Sequence, residues 1–600
     1  MTEHVIRIGG ASGEVRIGGA SGAWGDSPGA LAQLLDEGVD YLMMDYLAEV
    51  TMSLLARARM KDPSGGYPPD AVAYLGAVLP ELAAKKVKVA SNAGGVNPQA
   101  AKRALEALIA EKNLSLTVAM VEGDDVLPMI PALREKDVRE FVSGEPLPAR
   151  LLTANAYLGA LPIKAAFDAG ADIVITGRCA DSALALGILM HEFNWGETEY
   201  DLLAAGSLVG HILECGPQAT GGNFTDWEKV PDWHNIGYPI ATCRDDGTFT
   251  VSKPANTGGL IIPDVVAEQT LYEIGDPAAY MLPDVVADFS AVTITKAGEN
   301  QVDVRGAKGR PPTAQYKVSA TYQDGYRSVA TVSIVGIDAA AKAERTGRTL
   351  IDRAEMLFRK RNIAPFKATH IEALGAEASY GAKSKARAAR EVLLRLVVVH
   401  ESREALEIFG RELGSIGLSC APGTTGIYNG RPKPAPLVKL FTMFLDKADL
   451  PLPRLTVGDG EPVEIKTPLA GGYVAPAAIT GPVSEAAQTV DVPLVKLAFA
   501  RSGDKGNSSN VAIFARKPEY LPWLRKVLTP EKVVAQLDQL VNGPARRFEA
   551  PGLHALNFLI EDALGGGGMA SLRIDPQGKA YGQMVLEMIV PAPVEWNIPA

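Results

Sequence analysis

Cysteine is scarce in this chain of 600 residues: Cys179, Cys215, Cys243 and Cys420 are the four, and they lie far apart with no C-x-x-C pair. That excludes a disulfide framework and the common thiolate zinc modules, and free thiols in a reducing cytoplasm are expected. Long basic tracts are absent and the net charge is −11. Nucleic acid and anionic membrane surfaces are therefore not expected partners. No apolar run approaches the roughly 18 residues of a membrane span. The start, Met1-Thr2-Glu3-His4, lacks the basic-then-apolar order of a secretory leader, so the expected location is cytoplasmic.

What is abundant is glycine, 60 residues. It concentrates most informatively in Gly18-Gly19-Ala20-Ser21-Gly22-Ala23-Trp24-Gly25-Asp26-Ser27-Pro28. This reads as a strand end, a glycine loop and a helix start. Pro28 suits the first helical position, and Asp26 or Ser27 can cap the free N–H groups. Leu31, Leu34 and Leu35 follow at helical spacing, and Gly38 is the stop. The spacing is neither G-x-G-x-x-G nor a loop ending in Gly-Lys-Ser/Thr, so neither common phosphate loop is present. Arg7–Gly13 and Arg16–Gly22 repeat the same seven residues, and only the second copy leads into a capped helix. Residues 1–14 are expected to be a duplicated tail.

The length implies two to four domains. Residues 15–290 alternate short apolar runs with helical periodicity. Val39–Met44, Val87–Ala90, Leu116–Val121 and Ala171–Ile175 each end in polar or glycine residues. The expectation is an α/β layer: a mostly parallel sheet with helices on both faces, and ligands beyond the carboxyl ends of its strands. Residues 291–450 read as an α+β unit, with strands near 292–295, 315–322 and 328–335 and helices near 339–361 and 383–394. Residues 451–493 are rich in Pro, Gly and Thr and suggest a linker. Residues 494–600 read as a small α/β sandwich, with strands at 494–500, 511–514, 570–574 and 583–589 and helices through Val541.

Polar residues at the expected strand ends are the candidates for chemistry. Asp45 closes one run and Glu49 lies a helical turn on; a buried carboxyl there can serve as acid or base. The alternative is an acid facing a helix dipole. Arg178 can hold an anion with two hydrogen bonds and Asp181 can orient it or move a proton, or the two can simply pair. His211, Glu214 and Cys215 share a helix face, which suits proton transfer, zinc, or an ordinary buried histidine. Ser21 and Asn92 stand in glycine-rich turns and can line an oxyanion hole; Ser21 could also be a nucleophile, although its setting is not G-x-S-x-G. Gly19, Gly22, Asp26, Gly94 and Asn223 complete the expected binding loops. Arg501, Asp504, Lys505 and Asn507 form a charged loop near the end that could cover the first domain's cleft or hold a phosphate.

Several of these phrases recur together in one family. They are Gly18–Pro28, Ser91-Asn92-Ala93-Gly94-Gly95, Ile175–Asp181, Gly210–Cys215 with Thr220-Gly221-Gly222-Asn223, Thr257-Gly258-Gly259, and Ala500–Asn507. From about Val15 onward the chain resembles the acyclic terpene utilisation protein AtuA family, including its C-terminal ferredoxin-like domain. The resemblance implies a role in citronellol and geraniol breakdown, whose intermediates are branched acyl-CoA thioesters. The resulting expectation is an enzyme, a lyase that hydrates an enoyl thioester or cleaves a 3-hydroxyacyl thioester. Coenzyme A enters as part of the substrate, and no metal or further cofactor is required. His211 or Asp45 would move the proton, assisted by Asp181 and Glu49. Gly19, Ser21, Gly22, Asp26, Asn92, Gly94, Arg178, Asn223, Arg501 and Lys505 would bind substrate. A thioesterase-like hydrolase using Ser21 and a non-catalytic acyl-CoA or partner-binding protein are the alternatives. A homo-oligomer is expected from the habits of metabolic enzymes.

Overall fold

The computed structural model describes residues 13–428, 430–469, 471–568 and 570–598. The first copy of the duplicated heptad, Gly13 apart, lies outside them.

The first eight strands are β1 (Glu14–Ser21), β2 (Tyr41–Met44), β3 (Lys88–Ser91), β4 (Val118–Glu122), β5 (Thr153–Ala156), β6 (Ile173–Thr176), β7 (Ile240–Arg244) and β8 (Phe249–Ser252). Strands β1, β2, β3, β6 and β4 lie side by side in that order, all parallel. Alternate side chains enter two cores. Tyr41 and Met43 pack with the helices Leu161–Asp168, Ala183–Glu192 and Tyr200–Leu213. Leu42 and Met44 pack with Gly29–Glu37, Pro69–Lys85 and Pro98–Glu111 on the other face. Apolar residues on both faces explain why these strands read as continuous hydrophobic runs.

Both edges of this sheet are antiparallel. β7 pairs with β1 and β8 with β7; Gln301–Arg305 and Thr293–Gly298 continue outward. On the other edge Arg454–Val457 pairs with β4. The strands at 293–305 thus extend the first sheet, and the expected linker at 451–493 contains two of its strands, Arg454–Val457 and Val463–Glu464.

A second sheet is built on one 21-residue strand, Gln315–Val335. Sequence suggested two strands there; the break at Asp324-Gly325 is a register shift in one continuous strand, with Gly325 at φ +82°. Its first half pairs with β5 and Ala435–Asp446, its second with Glu391–His400 and Thr424–Tyr428. The helix Ala339–Lys360 covers it as expected. No helix spans 383–394. A 3₁₀ turn at Ala378–Lys383 leads to the strand Glu391–His400, whose Val392, Leu394, Leu396 and Val398 are buried in alternation. The β-branched residues of that strand outweigh the helical spacing expected there.

The last domain is a four-stranded antiparallel sheet in the order Ala498–Lys505, Ser508–Ala515, Ala555–Ile560, Ala545–Ala550. The helices Leu521–Val527, Pro530–Gln536 and Tyr581–Leu586 pack on one face. Residues 570–574 are not a strand, and 583–589 begin as helix. A short apolar run such as Gln583–Leu586 carries no period that separates the two. The other face joins the core of the parallel layer through Phe499, Ala512 and Phe514. Among the described residues no helix is long and apolar enough to cross a membrane.

Candidate active site

Four carboxyl ends of parallel strands deliver the candidate residues to one place. Ser21 ends β1, Asp45 follows β2, Asn92 follows β3, and Arg178 and Asp181 follow β6. The C-terminus of the helix Tyr200–Leu213 meets them with His211 and Glu214. Asn92 Nδ2 donates to Asp45 Oδ1 at 2.6 Å, and Asn92 Oδ1 accepts the Tyr46 N–H at 2.8 Å. Arg178 Nη1 donates to Asp181 Oδ1 at 2.6 Å and to the Leu47 carbonyl at 2.7 Å. His211 Nδ1 lies 3.0 Å from Glu214 Oε1. Asp45, Asp181 and Glu214 bring one oxygen each within 4.8 Å of one another.

Burial makes this cluster electrostatically costly. Asp45 is 6% exposed. Desolvation first, and then Asp181, push its carboxyl well above the usual range, with Arg178 acting against them. Burial also raises Glu214, against the pull of His211. Like charges so close oppose one another's ionisation, which favours a proton held on the Asp45 carboxyl. His211 is 1% exposed, and its Nε2 has no hydrogen-bond partner among the described residues.

A second group adjoins the first. Tyr157 donates to Glu49 Oε1 at 2.5 Å, and Lys317 Nζ lies 3.2 Å from the same oxygen. The Arg178 guanidinium stands over the Tyr157 ring at 4.2 Å and Lys317 at 4.5 Å. Burial alone would raise Glu49; Lys317 and Arg178 overcome it and hold the carboxyl far below its ordinary value. Glu49 thus favours its anion, paired with Lys317 and bonded by Tyr157, which suits it to fixing those two side chains more than to the proton transfer expected of it. Tyr157 and Lys317 escaped sequence reading. Lys317 sits on the long strand of the second sheet, more than 100 residues from every other member, and nothing local marks it.

The C-terminal domain closes the rim. Arg501 lies over the Tyr272 ring at 4.6 Å and donates to Gln218 Oε1 and to the Asn223 carbonyl. It therefore ties down the segment after Glu214. Asn223 takes part through its backbone, at φ +62°. Glu273 faces Lys579 Nζ at 3.2 Å. Although burial works to raise it, Lys579 and then Lys505 lower its pKa. Tyr280 packs 5.7 Å from His211, ring to ring, and Lys505 Nζ lies 5.7 Å above the Tyr280 ring. Arg501–Lys505 is strand rather than loop, and Lys505 opens the two-residue turn Gly506-Asn507.

The glycine-rich segment supports this site from behind. β1 runs through Gly18 and Gly19 to Ser21. A Cβ on Gly19 would stand 2.6 Å from the Leu213 carbonyl oxygen, and one on Gly22 2.9 Å from that of Glu214. These glycines let β1 touch the end of the helix that carries His211. A Cβ on Gly94 would meet the Thr176 carbonyl at 2.5 Å. Ser21 Oγ donates to the Asp45 and Ala23 carbonyls. Asp26 accepts from the Gly22 and Ser27 N–H groups and the Tyr238 hydroxyl. Ser27 Oγ accepts from Gly29 N, and Pro28 stands one position before the helix Gly29–Glu37.

Three carboxylates at this separation match the oxygen donors a hard divalent cation takes. Asp45, Asp181 and Glu214 are the residues that could hold one.

Parallel strands under two helical layers, joined to a small antiparallel domain, define a mixed α/β protein with its polar site at the strand ends. The family described as acyclic terpene utilisation family protein AtuA matches residues 15–453, and the AtuA ferredoxin-like domain matches residues 492–591. The chain belongs to this family, which is implicated in acyclic terpene utilisation. No curated protein and no solved structure matches it.

Proposed function

We propose that this chain is an enzyme of acyclic terpene breakdown that acts on a branched acyl-CoA by acid–base chemistry at Asp45, Asp181, Glu214 and His211. The observation that carries the reading is the trio of close carboxylates, Asp45 buried and Asp181 and Glu214 partly so, one of which, Glu214, also holds His211. It combines a carboxyl that keeps its proton with a histidine oriented by a carboxylate, two proton carriers set apart by environment.

In hydration, His211 takes a proton from water, the hydroxyl adds at C3 of the enoyl thioester, and Cα receives the Asp45 proton. In the cleavage alternative, the 3-hydroxyl gives its proton to His211, the C2–C3 bond breaks, and Asp45 protonates the resulting enolate. Both routes develop negative charge on the thioester oxygen. Arg178 is the group suited to it through its buried Nε, which has no hydrogen-bond partner among the described residues, whereas the Asn92 amide, the Ser21 hydroxyl and the Gly22 N–H are already bonded to protein. The same commitment of Ser21 argues against a serine hydrolase. No metal is needed, because Arg178 supplies the positive charge.

The test is mass analysis of purified protein incubated with 3-methylcrotonyl-CoA and geranyl-derived acyl-CoAs. Addition of water, or a shorter thioester with a released carbonyl fragment, is expected. Free coenzyme A formed by wild type and abolished in Ser21→Ala would instead establish the hydrolase, and tight binding without product a carrier role.

A further inference from the structure

The rim contributed by the C-terminal domain carries several cations, and most are committed. Arg501 is held by Gln218, Asn223 and the Tyr272 ring. Lys579 is shared by Tyr272, Glu273 and Asp504. Deeper in, Lys317 is paired with Glu49 and Arg178 with Asp181. Lys505 differs: its charge acts on Glu273 and Asp504, but among the described residues no carboxylate lies within ion-pair distance of it, and its ammonium rests over the Tyr280 ring. It is exposed, whereas Arg178 is 4% exposed.

The turn that presents Lys505 is firmly held. Asn507 donates to Asp562 and accepts from the Gly566 N–H, and its carbonyl takes the Ala563 and Leu564 N–H groups. Tyr280 in turn packs on His211. An exposed cation one ring away from the buried acid–base pair offers an anion a partner in a protein whose net charge of −11 would otherwise repel it.

Resting on the acyl-CoA reading above, we propose that Lys505 is the binding residue for a phosphate of the coenzyme A portion, so that substrate spans both domains. The thioester end, which must reach buried groups, lies inward at Arg178. The nucleotide end of such a molecule stays toward solvent, and its phosphates are the anions that an exposed lysine meets.

The test is calorimetric binding of three probes to the full chain: 3-methylcrotonyl-CoA, 3-methylcrotonyl-pantetheine, which lacks phosphates, and succinyl-pantetheine, which carries a carboxylate on the acyl group. Lys505→Ala is expected to weaken the CoA thioester roughly fivefold, as for an exposed charge pair, and to leave both pantetheine thioesters unchanged. Lys505→Arg should restore most of the loss, and the wild-type advantage should shrink with salt. A selective loss for succinyl-pantetheine overturns the proposal in favour of an acyl carboxylate; equal losses for all three, or none, overturn it outright. Wild type that binds none of the three removes the acyl-CoA reading itself, an outcome separate from failure of Lys505 alone.

Discussion

Asn92 holds Asp45 and its neighbour together: its amide donates to the Asp45 carboxyl at 2.6 Å, and its oxygen accepts the N–H of Tyr46, the next residue in the chain. One side chain thus fixes both an acid and the backbone bearing it. Asn92→Ala leaves the buried Tyr46 N–H without a partner, at a cost of about 1–3 kcal/mol, and leaves Asp45 with the Leu47 N–H alone on that oxygen. Urea denaturation should show a large loss of stability together with lost turnover.

Asp45→Asn separates chemistry from folding. It keeps the shape and removes a buried acid whose ionisation is opposed by desolvation and Asp181. Turnover should fall by roughly 10²–10⁴. The midpoint of denaturation should hold or rise at pH 8. A parallel collapse of stability would mean that Asp45 is structural.

Gly19 and Gly22 pack against the end of the helix that carries His211. Gly22→Ala pushes a methyl against the Glu214 carbonyl and Cys215 backbone. Overpacking of this kind costs about 1–3 kcal/mol and would shift Glu214. Turnover should fall with it. A variant of unchanged stability that loses only ligand affinity would restore the glycine loop as a binding element.

Glu268 lies in the seam between domains, where the Thr225 hydroxyl donates to it at 2.7 Å and also bonds Ala500. Burial pushes its pKa from an ordinary 4.5 to about 8, against Thr225 and Arg501. Between those values the folded chain holds a proton that the unfolded chain releases. Stability from this group is full below the lower value and falls as pH rises toward the upper. Glu268→Gln should therefore raise Tm at pH 8.5 and change it little at pH 5. Equal shifts at both would refute the linkage.

Whether Asp45, Asp181 and Glu214 share protons or a cation is settled by chelation. Turnover unchanged in EDTA, and no rise in Tm with added Mg²⁺ or Mn²⁺, are expected. Stabilisation of wild type but not of Asp181→Asn would establish a metal centre instead.

The parallel layer was legible because its strands are buried on both faces and each ends in polar residues. Asp45, Asn92, Arg178 and His211 could be named for that reason. The second sheet was harder, since Gln315–Val335 contains a turn-like Asp324-Gly325 that only its neighbours keep extended. Lys317, Tyr157, Glu273 and Tyr280 were invisible for a related reason. They enter the site through tertiary pairing, and their local sequence carries no mark of it. The glycines misled in the opposite direction, because close approach to a helix end and close approach to a ligand require the same residue.

Glu273 stands in left-handed backbone at φ +58°, its N–H taken by Asn510 of the C-terminal sheet. Asn510 and Asn557, both fully buried, also bind the carbonyls of Leu271, Ile274 and Gly275. The two halves of the protein are consequently bound to a joint history. A chain that dispensed with its final hundred residues would strand those carbonyls, and could survive only by rebuilding the very bend that presents Glu273.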